Sequence, residues 1–138
     1  MSDARRVLVV DDQEDIRDMA RLVLAGAGYE VTTASSGREA LKALREAAFD
    51  LMLLDINMPG LDGWATLRLV RADEAYDELR VAMFSVKSEV RDKVASLQDG
   101  AIDYITKPFG VDELVARVSR ILAAPAGGAS AVPTASPR

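Results

Sequence analysis

The chain has 138 residues, 49% of them hydrophobic and 28% charged, with a net charge of −5. It contains no cysteine and no histidine, which excludes disulfides, thiolate or imidazole metal sites and histidine-based triads; a bound metal would need oxygen ligands, as Mg²⁺ and similar hard ions prefer. The interspersed, mildly acidic charge leaves no footprint for nucleic acid, no apolar run nears the ~20 residues of a membrane span, and MSDARR lacks the apolar core of a signal peptide, so the chain reads as soluble and cytoplasmic.

RVLVVD (6–11) reads as a strand, and Ile16, Met19, Ala20, Val23 and Leu24 then mark one face of a helix that Gly26 and Gly28 end. YEVTTA (29–34) is strand-like, and Ser35, Ser36 and Gly37 open a helix through Leu41 and Leu44. DLMLLD (50–55) is an apolar strand followed by NMPGLDG (57–63), dense in turn residues, and then a helix carrying Leu67 and Val70. LRVAMFS (79–85) is a fourth strand, and Val90, Val94 and Leu97 mark a fourth helix that stops near Gly100. AIDYIT (101–106) is a short strand broken by Lys107 and Pro108, and Leu114, Val118, Ile121 and Leu122 line a last helix.

Five βα units with continuously apolar strands predict an α/β fold, a doubly wound five-stranded parallel sheet with helices on both faces. The folded domain is expected over 1–123. From residue 124 to 138 the chain turns to Ala, Pro, Gly and Ser, a composition that fits a flexible tail or linker.

In open α/β sheets ligands bind beyond the carboxyl ends of the strands. The strand exits here carry Asp11 and Asp12, Asp55, Ser85 and Lys107. Asp is favoured at helix N-caps, so one of the first pair could serve there. A cap takes one Asp, however, and a third carboxylate nearby adds repulsion that a divalent cation would relieve. Beside such an ion Asp55 could act as a nucleophile toward phosphorus, with Ser85 donating a hydrogen bond to a phosphoryl oxygen and Lys107 acting as a fixed cation. The isomer of the Lys107–Pro108 bond is open at this level. A flavodoxin-type FMN site lacks its phosphate loop after the first strand, and the GxxxxGK[ST] loop of nucleotide triphosphatases is absent.

VLVVDD, LMLLDINMPGLDG, the Ser85 exit and YITKPF together resemble the receiver domain of two-component response regulators, the CheY-like fold, over residues from about 5 to 123. The resemblance implies strand order 2-1-3-4-5, Asp55 as phosphoacceptor, and Mg²⁺ (or Mn²⁺) held by Asp11, Asp12, Asp55 and the backbone carbonyl of Asn57. It implies that Ser85 and Lys107 contact the phosphoryl group, that Tyr104 follows Ser85 in the switch, and that Asp62 and Gly63 open the third helix. Val86 is bulkier than the Ala common there, and Lys87 sits where phosphate lifetime is tuned. The partners implied are a histidine kinase or histidine phosphotransfer protein and a downstream effector, with no membrane and no direct nucleic-acid contact by this chain. A homodimer through the last two helices and the last strand is left open. Such a domain is a switch and not an enzyme in the turnover sense; the alternative is a phosphorylation-independent interaction module on the same fold. The tail fits both a single-domain regulator and the front of a longer protein, the second being preferred.

Overall fold

A computed structural model describes residues 4–85, 94–95 and 97–123. Five parallel strands, β1 (Arg6–Val10), β2 (Glu30–Ala34), β3 (Leu51–Asp55), β4 (Arg80–Ser85) and β5 (Asp103–Thr106), form one sheet in the order β2-β1-β3-β4-β5. Between them lie α1 (Glu14–Gly26), α2 (Gly37–Glu46) and α3 (Gly63–Arg71), and a C-terminal helix spans Val111–Ala123. Residues 94–95 and 97–98 are helical, matching the end of the predicted fourth helix. Val90, Val86, Lys87 and the predicted tail over 124–138 lie outside the described residues.

Burial explains the order. Every residue of β3 and β4 is buried, as are four of the five in β1, whereas β2 and β5 keep partly open positions; the most apolar strands therefore take the centre and the more polar ones the edges. Side chains alternate across the pleat. Leu8, Val10, Met52, Leu54, Val81 and Met83 form one core layer with Ala40 and Leu44 of α2 and Leu67 and Val70 of α3. Val7, Val9, Leu51, Leu53, Ala82 and Phe84 form the other with Ala20 and Leu24 of α1 and Leu114, Val118 and Ile121 of the C-terminal helix.

Local chemistry sets the helix starts. Ser36 accepts from the Glu39 amide at 3.1 Å, and Glu39 returns a carboxylate oxygen to the Ser35 amide at 2.7 Å, a reciprocal cap for α2. Asp62 caps α3 by accepting from the Ala65 amide at 2.9 Å. The sequence offered Asp11 or Asp12 as a cap for α1, but the N-cap position is Gln13, whose side chain makes no cap bond. Asp11 lies two residues before that position, its carboxylate turned to the Gln13 amide and to the sheet edge. A short 3₁₀ turn at Glu74–Tyr76, absent from the sequence reading, leads into β4. Arg71 pins this region, donating to the carbonyls of Gly100, Tyr76 and Leu79.

The turn after β3 is set by close backbone approach. Gly63 donates its amide to the Ile56 carbonyl at 2.9 Å, and a Cβ there would overlap the Asp55 carbonyl oxygen and lie 2.7 Å from the Ile56 Cα. Backbone cannot yield as a flexible side chain can. Gly63→Ala is therefore expected to destabilise the protein by about 2 kcal/mol or more, read as a lower urea midpoint with unchanged slope; a midpoint equal to wild type would contradict the packing described.

Candidate site at the carboxyl edge of the sheet

Parallel pairing brings the strand exits together. Val10 is in register with Leu54, Asp55 with Phe84, and Ser85 with Thr106, so the residues leaving β1, β3, β4 and β5 share one edge. A cleft of about 220 Å³ opens there, lined by Asp12, Gln13, Asp55, Asn57 and Lys107. A larger cleft of about 620 Å³ lies at the opposite edge, beside Arg5, Phe49, Tyr76 and Arg80, and Asp11, Asp12 and Asp55 do not line it.

Asp11, Asp12 and Asp55 each present a carboxylate oxygen, and these three oxygens lie within 4.8 Å of one another. Asp11 is fully buried and Asp55 nearly so, while Asp12 faces solvent. Asp11 is held at four atoms. Its amide donates to the Ala34 carbonyl at 3.1 Å, and its carbonyl accepts from Arg17 at 2.8 Å. Its Oδ1 accepts from the Gln13 amide at 2.9 Å, and its Oδ2 from Lys107 Nζ at 2.6 Å.

The same ammonium lies 3.3 Å from Asp55 Oδ1. Lys107 is 8% exposed, and its charge sits 5.8 Å from the centre of the Phe84 ring, which stacks on Phe109 at 5.2 Å. This aromatic shelf limits the places the ammonium can occupy, so it bridges two acids instead of reaching into water. The Lys107–Pro108 peptide, open from sequence, is cis.

One ammonium faces three carboxylates, and the imbalance appears in Asp55. Burial, and then repulsion from Asp11, push its carboxyl up to about 6, against the opposing pull of Lys107 and a hydrogen bond from the Asn57 amide. A carboxyl raised in the folded state favours folding below the unfolded value of 3.8 and loses that contribution as pH rises toward about 6.

Ser85 ends β4, fully buried, with its carbonyl accepting from the Lys107 amide at 2.7 Å. It adjoins the cleft without being among the residues that line it. Tyr104 is 3% exposed and packs in the core layer of Met83 and Ala101. Asp11, Asp12, Asp55, Asn57 and Lys107 are thus brought together, Ser85 borders them, and Tyr104 stands back in the core.

A family model described as the response regulator receiver domain matches residues 7–119. The chain belongs to the response regulator receiver family. It is 45% identical over 117 residues to the transcriptional regulatory protein PrrA of Mycobacterium tuberculosis, covering 85% of this chain and 49% of that protein. It is 42% identical over 114 residues to the DNA-binding response regulator MtrA of the same species, covering 83% and 49%. This receiver chain spans about half the length of the curated relatives it matches. Among solved structures, the chemotaxis protein CheY4 of Vibrio cholerae superposes with a TM-score of 0.82 at 35% identity, over 86% of this chain and 98% of that one. The strand order expected from the family resemblance is the one observed.

Several residues that shape the receiver site escaped the sequence reading. Gln13 lines the cleft. Phe84 and Phe109 form the shelf under Lys107, and Arg17 holds the Asp11 carbonyl. Only Arg17 left a visible sign, as a cation in the first turn of a helix, where the macrodipole disfavours it.

The Asp55 carboxyl carbon of the metal-free protein, followed by NMR, is expected to titrate with a midpoint near 6. Lys107→Met should raise that midpoint and Asp11→Asn should lower it, because each removes one of the opposing charges. A wild-type midpoint near the ordinary 3.8 would contradict the balance described.

Proposed function

We propose that this receiver accepts a phosphoryl group on Asp55, with a Mg²⁺ ion held in the cleft, and so acts as a phosphorylation-dependent switch. The observation that carries this reading is the near-buried Asp55 carboxylate between two further acids and the Lys107 ammonium. The donor set fits a hard divalent ion, since three carboxylates offer oxygen ligands at one open cleft and the chain has no histidine or cysteine. Asp11, Asp12, Asp55 and the Asn57 carbonyl would hold Mg²⁺, or Mn²⁺ in its place. Bound there, the ion supplies charge neutralisation for the phosphoryl oxygens and fixes the orientation of the donor.

The chain's own residues do the rest. In its ionised form Asp55 attacks phosphorus with a carboxylate oxygen. The bond from phosphorus to the donor's histidine nitrogen breaks, and the imidazole leaves with that electron pair. Lys107, already poised against Asp55, holds a phosphoryl oxygen and offsets its charge. Ser85, at the end of the neighbouring strand, turns its hydroxyl to another phosphoryl oxygen. The packing around Tyr104 then resettles, which changes the surface of β5 and the helix Val111–Ala123. Phosphorylation shifts a population between two such arrangements, and a partner reads the difference.

The donor is a histidine kinase or histidine phosphotransfer protein. The reader is a downstream protein or domain, consistent with the regulators this chain resembles. The chain is a switch, catalysing its own phosphoryl transfer and loss and no turnover of a separate substrate. Its working compartment is the cytoplasm; among the described residues no helix is long and apolar enough to cross a membrane.

Incubation with Mg²⁺ and a small acyl phosphate, followed by intact mass measurement, should add one phosphoryl group to wild type. Asp55→Ala should take up none, and excess EDTA should abolish uptake by wild type. Equal labelling of wild type and Asp55→Ala would overturn the assignment of Asp55. No labelling of wild type would favour a phosphorylation-independent interaction module.

A further inference from the structure

Asp11 is fully buried, and β1 ends one residue before it, so its carbonyl stands beyond the ladder at a place without water. A buried carbonyl needs a donor. That donor is Arg17, whose Nη1 lies 2.8 Å from it. Arg17 occupies the first turn of α1, beside Glu14 and Asp15. Acids suit that end of a helix and a cation does not. The side chain reaches back along the helix toward the residues that precede it, as helical side chains tilt.

We infer that Arg17 is a positioning residue for the metal-binding pair: by fixing the Asp11–Asp12 peptide through the Asp11 carbonyl, it sets where both carboxylates sit. The inference rests on the metal reading proposed above. Asp11 is held at its amide by Ala34, at Oδ1 by the Gln13 amide and at Oδ2 by Lys107. A divalent ion would be held by carboxylate oxygens, and the Arg17 bond is to the carbonyl instead. Arg17 is thus the side chain that holds the Asp11 backbone apart from its carboxylate, while Asp12, exposed and next in the chain, takes its direction from the same peptide.

The test uses the whole chain and Mn²⁺ alone, with free Mn²⁺ read by electron paramagnetic resonance and folding read by urea denaturation. Arg17→Met is expected to weaken Mn²⁺ binding about tenfold, the scale on which supporting residues act at metal sites. Arg17→Lys, which keeps a charge and a donor, is expected to bind within about threefold of wild type, a fraction of that loss. Should Arg17→Met fail to fold, Arg17→Ala is read by the same criterion. Arg17→Met binding Mn²⁺ as tightly as wild type overturns the inference, and so does Arg17→Lys binding as weakly as Arg17→Met. Wild type with no saturable Mn²⁺ binding overturns the metal reading itself, and the inference with it.

Discussion

Three carboxylates gathered at one edge of a sheet repel one another, and the rest of the site is arranged around that repulsion. The fold concentrates it by burying Asp11 completely and Asp55 almost so, which removes the water that would otherwise screen the charges. Lys107 neutralises part of it by bridging the two buried acids. Burial first, and then the repulsion from Asp11 that remains, push the Asp55 carboxyl up to about 6. A site in this condition favours anything that brings positive charge, and that is the physical ground for the divalent ion proposed here.

The fold delivers this edge through packing remote from the chemistry. Parallel register aligns the exits of β1, β3, β4 and β5. Gly63 lets α3 approach the backbone of Asp55 more closely than any side chain would allow, and Gly37 does the same for α2 against Thr66 and Leu61. The Phe84–Phe109 stack supports the lysine from beneath. None of these residues bears charge, yet Gly63 abuts the backbone of Asp55 and the aromatic stack backs Lys107. The charged groups lie close because apolar and backbone contacts hold them there, which offsets a repulsion that would otherwise spread them apart.

Much of this was legible in the residues. Continuous apolar strands stop at polar residues, so VLVVDD, LMLLD, VAMFS and YITKP each announced a strand exit. The conversion of four exits into one site needed the rule that such sheets bind ligands at their carboxyl edge. Strand order came from the family resemblance, since spacing alone does not choose among the ways five βα units can be ordered. Gln13, Phe84, Phe109 and Arg17 were missed for a common reason: their roles exist only through contacts in the folded chain. Phe84 reads as core and Arg17 as a solvated helix charge until Lys107 and the Asp11 carbonyl are set beside them. The N-cap expectation for Asp11 or Asp12 failed because a local preference gave way to the contacts of the sheet edge, where Asp11 is bound to Lys107.

The central claim is that the carboxylate cluster is a liability to the metal-free fold that a divalent ion turns into an asset. Urea unfolding of wild type and Asp55→Asn, each in EDTA and in saturating Mg²⁺ at pH 7.5, tests it most directly. The account predicts a crossing, with Asp55→Asn the more stable protein in EDTA and wild type the more stable in Mg²⁺. Wild type more stable than Asp55→Asn under both conditions, or no gain in stability from Mg²⁺, would contradict it.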